Sequence, residues 1–335
     1  MSGSSKPTRP TIYDVARQAG VSKSLVSLVL RNAPHVAEAK REAVKAAIAE
    51  LGYRPSRAAS ALASQRTNSV GLLIDDFRNP WFVELLSGLR SVLDPAGFTV
   101  AVADLRLETA SGRNPVDGFL AQHVDALVIA AEAPVDMLRN ARVPLVVAGS
   151  RGLSAHLEAD VVTSDDGAGG RMAAEHLLAA GHRSIVHLSG TGEPAAHRRR
   201  GYRDAMSDAG REPLVFGTDG GTDEADGFRG MQQALAAVPE PDAVFAANDL
   251  MAAGALAALR DSGLSVPERV SLIGYDNSPL AAYEYLRLSS VDPHNREIGA
   301  ESARMVLSRL ESPDAPPRRT LLGPTVVERS SVAVR

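Results

Sequence analysis

Residues 11–63 read TIYDVARQAGVSKSLVSLVLRNAPHVAEAKREAVKAAIAELGYRPSRAASALA, and this stretch decides how the rest of the chain is organised. Thr11 offers a hydroxyl at a helix N-cap and Asp14 a carboxylate three residues on, a capping-box arrangement with Asp in place of Glu. Ile12, Val15, Ala16 and Ala19 recur at helical spacing, and Gly20, tolerant of left-handed backbone, ends the helix. Ser22 is the N-cap of a second helix, Lys23 to about Arg31, with Leu25, Val26 and Val29 inward. Two helices of about two turns joined by Gly20-Val21-Ser22 describe a helix-turn-helix. A third amphipathic helix over about Glu38–Leu51 supplies Val44, Ala47, Ile48 and Leu51 to a minimal core, and Gly52 and Pro55 stop it.

The wording of this stretch closely resembles the DNA-binding head of the LacI (lactose-repressor) family. The resemblance implies that Lys23, Ser24 and Leu28, on the outward face of the second helix, read base edges in the major groove. It also puts Thr11, Ser22, Ser27, Arg31, His35 and Tyr53 at phosphate-contacting positions. Taken singly, Lys23 reads as a solvated lysine and His35 as an ordinary surface histidine. Leu28 cannot hydrogen-bond, so the operator is expected to differ from those of relatives with a polar residue there. Ala37 stands where relatives usually carry a Ser cap. The alanine-rich segment after Pro55 reads on its own as a tether. The resemblance makes it a hinge helix, with Leu62 as the apolar wedge at the minor groove and Ala59 one turn earlier allowing close approach.

From Asn68 the texture changes to alternating strand and helix: SVGLLID, then WFVELLSGLRSVL, then FTVAVAD, with further strands in DALVIAA, VPLVVAG, RSIVHLSG, PDAVFAA and VSLIGYD. This alternation predicts parallel α/β layers. The expected architecture is a small all-α helix-turn-helix domain followed by a two-lobed α/β domain with parallel sheets. The second domain resembles the periplasmic-binding-protein type I fold that the LacI family carries behind its head. The boundaries read as a disordered tail at 1–10, the helix-turn-helix at 11–55, a hinge or linker at 56–67 and the two-lobed ligand-binding and dimerisation domain at 68–335. Within that domain the first lobe takes about 68–160 plus part of 289–325, and the second about 161–288 plus a C-terminal strand.

Ligands of open parallel sheets sit beyond the carboxyl ends of the strands, so polar residues just after strands are the informative ones. Asn79-Pro80 has a sufficient structural reason as a helix start, and Trp81 and Phe82 read equally as core. The resemblance implies a sugar held by Asn79 and an aromatic ring, assigned to Phe82 with Trp81 as the alternative. In the second half Asn248 and Asp276 follow strands and suit a polyol, while Asp249 reads equally as a helix cap. Arg198 matches the family's ligand-facing arginine; Arg199 and Arg200 read as solvated. Ser150-Arg151 stands where relatives often show Asp-Arg, which weakens that contact.

Charge separates the two parts. Residues 1–66 hold 11 Lys/Arg and 4 Asp/Glu, whereas the remainder holds 25 and 36. A basic unit joined to an acidic one is the pattern of a chain that meets phosphate at one end only. There are no cysteines, so disulfides, thiolate metal sites and a cysteine nucleophile are excluded. No dinucleotide fingerprint or P-loop follows a strand, and no catalytic constellation, metal site or cofactor is read. The N-terminus MSGSSKPTRP has no apolar stretch, so a cytoplasmic location is expected, not export or a membrane. The expected partners are palindromic operator DNA, a sugar or polyol effector and a second copy of the chain. The rival reading, an exported sugar-binding protein of a transporter, leaves the basic head unexplained.

Overall fold

The computed structural model describes residues 10–30, 33–53, 66–152, 157–238 and 240–335. The expectations for the tail at 1–9, for Arg31 and for Ala59 and Leu62 lie outside them. The chain divides into two compact units, 1–67 and 68–335.

The first unit contains α1 (Ile12–Gln18), α2 (Lys23–Leu30) and α3 (Glu38–Leu51). The Asp14 carboxylate accepts from the Thr11 N–H at 2.9 Å and from its hydroxyl at 2.7 Å, which fixes the start of α1. Gly20 takes the left-handed backbone of the turn, with φ 62°, and Ser22 Oγ accepts from the Leu25 N–H at 3.2 Å to begin α2. Ala37 supplies no side-chain acceptor to α3. Val15, Ala16, Val26, Val29, Val36, Val44 and Ala47 are the buried core, one stripe from each helix.

The second unit carries two sheets. In chain order it begins with β1 (Ser69–Ile74), α4 (Trp81–Leu93), β2 (Thr99–Asp104), α5 (Leu105–Ala110), α6 (Pro115–Ala121), β3 (Ala126–Ala130), α7 (Val135–Leu138), β4 (Leu145–Ala148) and β5 (Asp160–Ser164). There follow α8 (Asp166–Ala179), β6 (Ile185–Leu188), α9 (Glu193–Asp208), β7 (Leu214–Phe216), α10 (Glu224–Ala237), β8 (Ala243–Ala246), α11 (Asp249–Asp261), β9 (Ser271–Tyr275) and β10 (Ser289–Asp292). The chain closes with α12 (Asn295–Glu311), β11 (Arg319–Leu322) and β12 (Thr325–Val327). The first sheet runs β11-β5-β4-β3-β1-β2 and is parallel throughout. The second runs β12-β10-β9-β8-β6-β7, parallel except for β12 against β10.

The chain crosses between lobes after β5, after β10 and between β11 and β12. The first two crossings fall slightly later than the sequence reading places them. Val161 and Val162 pair with Val147 and Ala148 of the first sheet, and Ser289 and Ser290 pair with Ile273 and Gly274 of the second. Ladder partners far away in sequence thus decide to which lobe a crossing strand belongs.

Both faces of each sheet are covered, as near-continuous apolar strands require. Val70, Leu72 and Ile74 of β1 join Leu85, Leu89 and Val306 on one side, while Leu73 joins Phe119, Ile129 and Val147 on the other. The covering helices approach at glycines. A Cβ at Gly88 of α4 would strike the Arg296 carbonyl oxygen of α12, and one at Gly299 of α12 would strike that of Leu85. The same reciprocity joins α8 to α9 through Gly170 and Gly201, and this contact sets the height of the Arg198 backbone against α8.

Candidate functional site

Between the lobes lies a cleft of about 480 Å³, within the range of small-molecule sites. Arg198, on the second turn of α9, sits at its floor. Its Nε donates to Asp166 Oδ1 at 2.8 Å and its Nη1 to the Ala247 carbonyl at 2.7 Å. Nη2 lies 3.3 Å from Asp276 Oδ1, and the guanidinium stacks 3.6 Å from the centroid of the Tyr275 ring. Burial works against its charge, but Asp166 and Asp276 outweigh burial and raise its pKa above the ordinary arginine value. The pKa of Asp276 is also raised, by burial first, with Arg198 opposing.

Asp276 follows β9 with φ 94°, outside the ordinary range for a side chain other than glycine, and Asn277 follows at φ 43°. Asn295 Nδ2 donates to the Asp276 carbonyl at 3.2 Å. Asn248 caps α11, its Oδ1 accepting from the Met251 N–H at 2.7 Å, while its Nδ2 donates to the Thr222 carbonyl at 3.0 Å. Asn79 accepts weakly from the Trp81 N–H at 3.4 Å.

The first lobe adds Asp75, Asp76 and Glu132, which the sequence reading did not single out, and engages Arg151, which it named beside Ser150 as a weakened contact. Arg151 Nη1 lies 3.1 Å from Asp75 Oδ2 and 4.0 Å from Glu132 Oε1, with its guanidinium 5.2 Å from the Trp81 ring centroid. Asp75 and Asp76 directly follow β1 and Glu132 closely follows β3, so the strand-end rule that found Asn248 and Asp276 also points to them. Contacts reach across the lobes. The Glu193 N–H at the start of α9 donates to Glu132 Oε1 at 2.8 Å, and Ser150 Oγ donates to Asp166 Oδ2 at 2.5 Å. Arg78 lies 3.8 Å from Asp223.

Asn79, Arg198, Asn248 and Asp276 therefore line one cleft, from positions far apart in the chain. Phe82 does not line it. Its ring packs against the first-lobe core and edge-on against Phe77 at 5.6 Å, and Trp81 faces the cleft instead. Adjacent residues on a helix point about 100° apart, so only one of the two rings can look into the space between lobes. Arg199 is not a freely solvated side chain either: its Nη1 donates to Ser189 Oγ at 3.0 Å.

In the first unit Lys23, Ser24 and Leu28 lie exposed along α2. Lys23 Nζ is 3.4 Å from the Tyr13 hydroxyl and 5.0 Å from its ring centroid, so the exposed Tyr13, which the sequence reading passed over, belongs to the same surface. Thr11, Ser22 and His35 are exposed, Ser27 is half-buried and Tyr53 packs partly against the core.

A helix-turn-helix on one unit and a two-lobed cleft in the other define a DNA-binding regulator with a ligand-binding domain. Comparison with known proteins makes the class specific. The model of bacterial regulatory proteins of the lacI family matches residues 11–56, and that of the periplasmic binding protein-like domain matches residues 174–332. The HTH-type transcriptional regulator CelR of Thermobifida fusca is 36% identical over 338 residues, covering 96% of this chain and 98% of that one. A solved CelR–cellobiose complex superposes with a TM-score of 0.70 at 33% identity, over 96% of this chain and 100% of that one. The lac repressor dimer bound to operator and the anti-inducer ONPF superposes with a TM-score of 0.80 at 27% identity, over 97% and 100%. The chain belongs to the LacI family of transcriptional regulators.

Proposed function

We propose that the chain is a cytoplasmic, homodimeric repressor whose hold on a palindromic operator is set by a sugar or polyol bound between the two lobes. The observation that carries the effector reading is Arg198, fixed between Asp166 and Asp276 at the floor of a polar cleft built from both lobes. Carboxylates and amides there present the acceptors and donors that adjacent hydroxyls need, and Trp81, at the cleft wall beside Arg151, adds apolar surface. The cellobiose in the CelR complex and the operator-bound lac repressor dimer support the same reading.

On the DNA side, Lys23, Ser24 and Leu28 read bases. Thr11, Ser22, Ser27, Arg31, His35 and Tyr53 contact the backbone, and Ala59 and Leu62 work at the minor groove. Two heads related by a two-fold axis match a palindrome. No chemical step belongs to this reading: the ligand acts by differential affinity for two arrangements of the lobes, and DNA alters ligand affinity by the same factor. The test is Asp276→Ala in the full-length protein. Operator selected from a random pool is titrated with and without a sugar panel. Loss of the sugar response with operator affinity kept supports the assignment; a normal response at the same sugar concentration removes Asp276 from the site.

A further inference from the structure

Resting on the sugar reading above, we infer that the cleft is built for an uncharged polyol and rejects the phosphorylated and carboxylated forms of the same sugar. The lining holds seven carboxylates, from Asp75, Asp76, Glu132, Asp166, Asp223, Asp226 and Asp276, against four guanidiniums, from Arg78, Arg106, Arg151 and Arg198. Each guanidinium is already engaged. Arg198 serves both Asp166 and Asp276, and Arg151 serves Asp75 and, more distantly, Glu132. Arg78 and Arg106 share Asp76 at 2.6 and 2.8 Å, and Arg78 also reaches Asp223. The side chains of Arg151 and Arg198 are only 9% and 12% exposed, so neither can turn to an incoming anion without abandoning carboxylates away from water.

The other natural seats for an anion are helix N-termini, and at four of them the acceptor comes from within the chain. Asp165 accepts from the Ala168 N–H of α8 at 2.8 Å, and Glu132 from the Glu193 N–H of α9 at 2.8 Å. Asp223 accepts from the Asp226 N–H of α10 at 2.9 Å, and Asn248 caps α11. A phosphate entering the cleft meets surplus negative charge, guanidiniums already paired and, at these four termini, acceptors already in place. A hydroxyl meets the opposite situation: the carboxylate oxygens of the lining accept a hydrogen bond from it.

The experiment is calorimetric titration of the full-length protein with cellobiose, glucose and ribose, each beside its phosphate monoester, and with glucuronate beside glucose. The neutral sugar that binds should lose about ten-fold or more in affinity as its anionic counterpart. Asp76→Asn, which releases Arg78 and Arg106 at the rim, should narrow that gap. Equal or tighter binding of a phosphate ester overturns the inference and leaves the sugar reading standing, as does a gap unchanged in Asp76→Asn. Binding of no sugar, charged or neutral, overturns the sugar reading and this inference with it.

Discussion

The Asp249 carboxylate accepts twice from Ser278, from its N–H at 2.7 Å and from its hydroxyl at 2.9 Å, and a third time from Ser290 Oγ at 2.6 Å. These bonds tie the loop after β9 to the start of α11, and that loop carries Asp276 and Asn277 in left-handed backbone. Asp249 thus lies behind the cleft and holds the turn that aims Asp276 into it. Burial, and then the neighbouring Asp276, push the Asp249 carboxyl up to about 7, against the hydrogen bonds from Ser290 and Ser278.

Asp249→Ala leaves those donors without an acceptor. The expected outcome is a stability loss of roughly 1–3 kcal/mol and weaker effector binding, with Asn restoring much of both. The pH signature follows from the sign of the shift. Folding favours the protonated acid, so its contribution is complete below the ordinary value of 3.8 and is lost as pH rises through about 7. Denaturant unfolding at a series of pH values should show Asp249→Asn gaining on the wild type across that window; parallel curves would contradict the assignment.

His187 supplies the opposite dependence. It lies fully buried between Phe245, with ring centroids 4.5 Å apart, and Tyr202, at 5.0 Å, and its Nδ1 donates to the Phe245 carbonyl at 3.0 Å. Burial lowers its pKa from 6.5 to about 3, with the carbonyl opposing and Arg199 and Arg198 adding to the shift. The neutral ring is the one that fits, so the contribution is intact above 6.5 and lost as pH falls toward 3. The cost at the acid end is on the order of 5 kcal/mol. His187→Phe should flatten the acid limb of the stability profile measured by thermal unfolding.

Gly88→Ala tests the helix contact between α4 and α12. Alanine is the better helix former by about 1 kcal/mol, so an open site would be stabilised. Here its Cβ meets the Arg296 carbonyl oxygen and, at 2.9 Å, the Ala300 nitrogen, both backbone atoms that cannot swing away. A net loss of about 1–3 kcal/mol is expected, read from the urea midpoint.

At the other end of the chain, replacing Lys23 or Ser24 should change preference among operator variants by about 1–3 kcal/mol per disrupted base contact. Binding selection on randomised half-sites measures this, and an unchanged consensus after both replacements would withdraw them as base readers.

The helix-turn-helix was legible because its determinants are local. Thr11 with Asp14, Gly20, Ser22 and Gly52 act on backbone within a few residues of themselves, and the structure uses each as its chemistry suggests. The two-lobed architecture was legible for a similar reason, since apolar strand runs and helical spacing repeat along the chain. Strand ends also pointed to Asn79, Asn248 and Asp276, and the family resemblance alone added Arg198.

What only the tertiary structure decided depends on residues far apart in the chain. Whether Trp81 or Phe82 faces the cleft turns on how α4 is rotated against β1 and α12, and both rings are equally apolar in the sequence. The pairing of Arg198 with Asp166 and Asp276 joins α8, α9 and the end of β9, and that of Arg151 with Asp75 joins the ends of two strands. The reciprocal glycines of α4 and α12 read in sequence as weak points of their helices, and only the crossing of the two backbones shows why no side chain fits there. Local free energies of capping and turn formation are written in neighbouring residues, whereas charge pairing and close packing are properties of surfaces that exist only after the chain has folded.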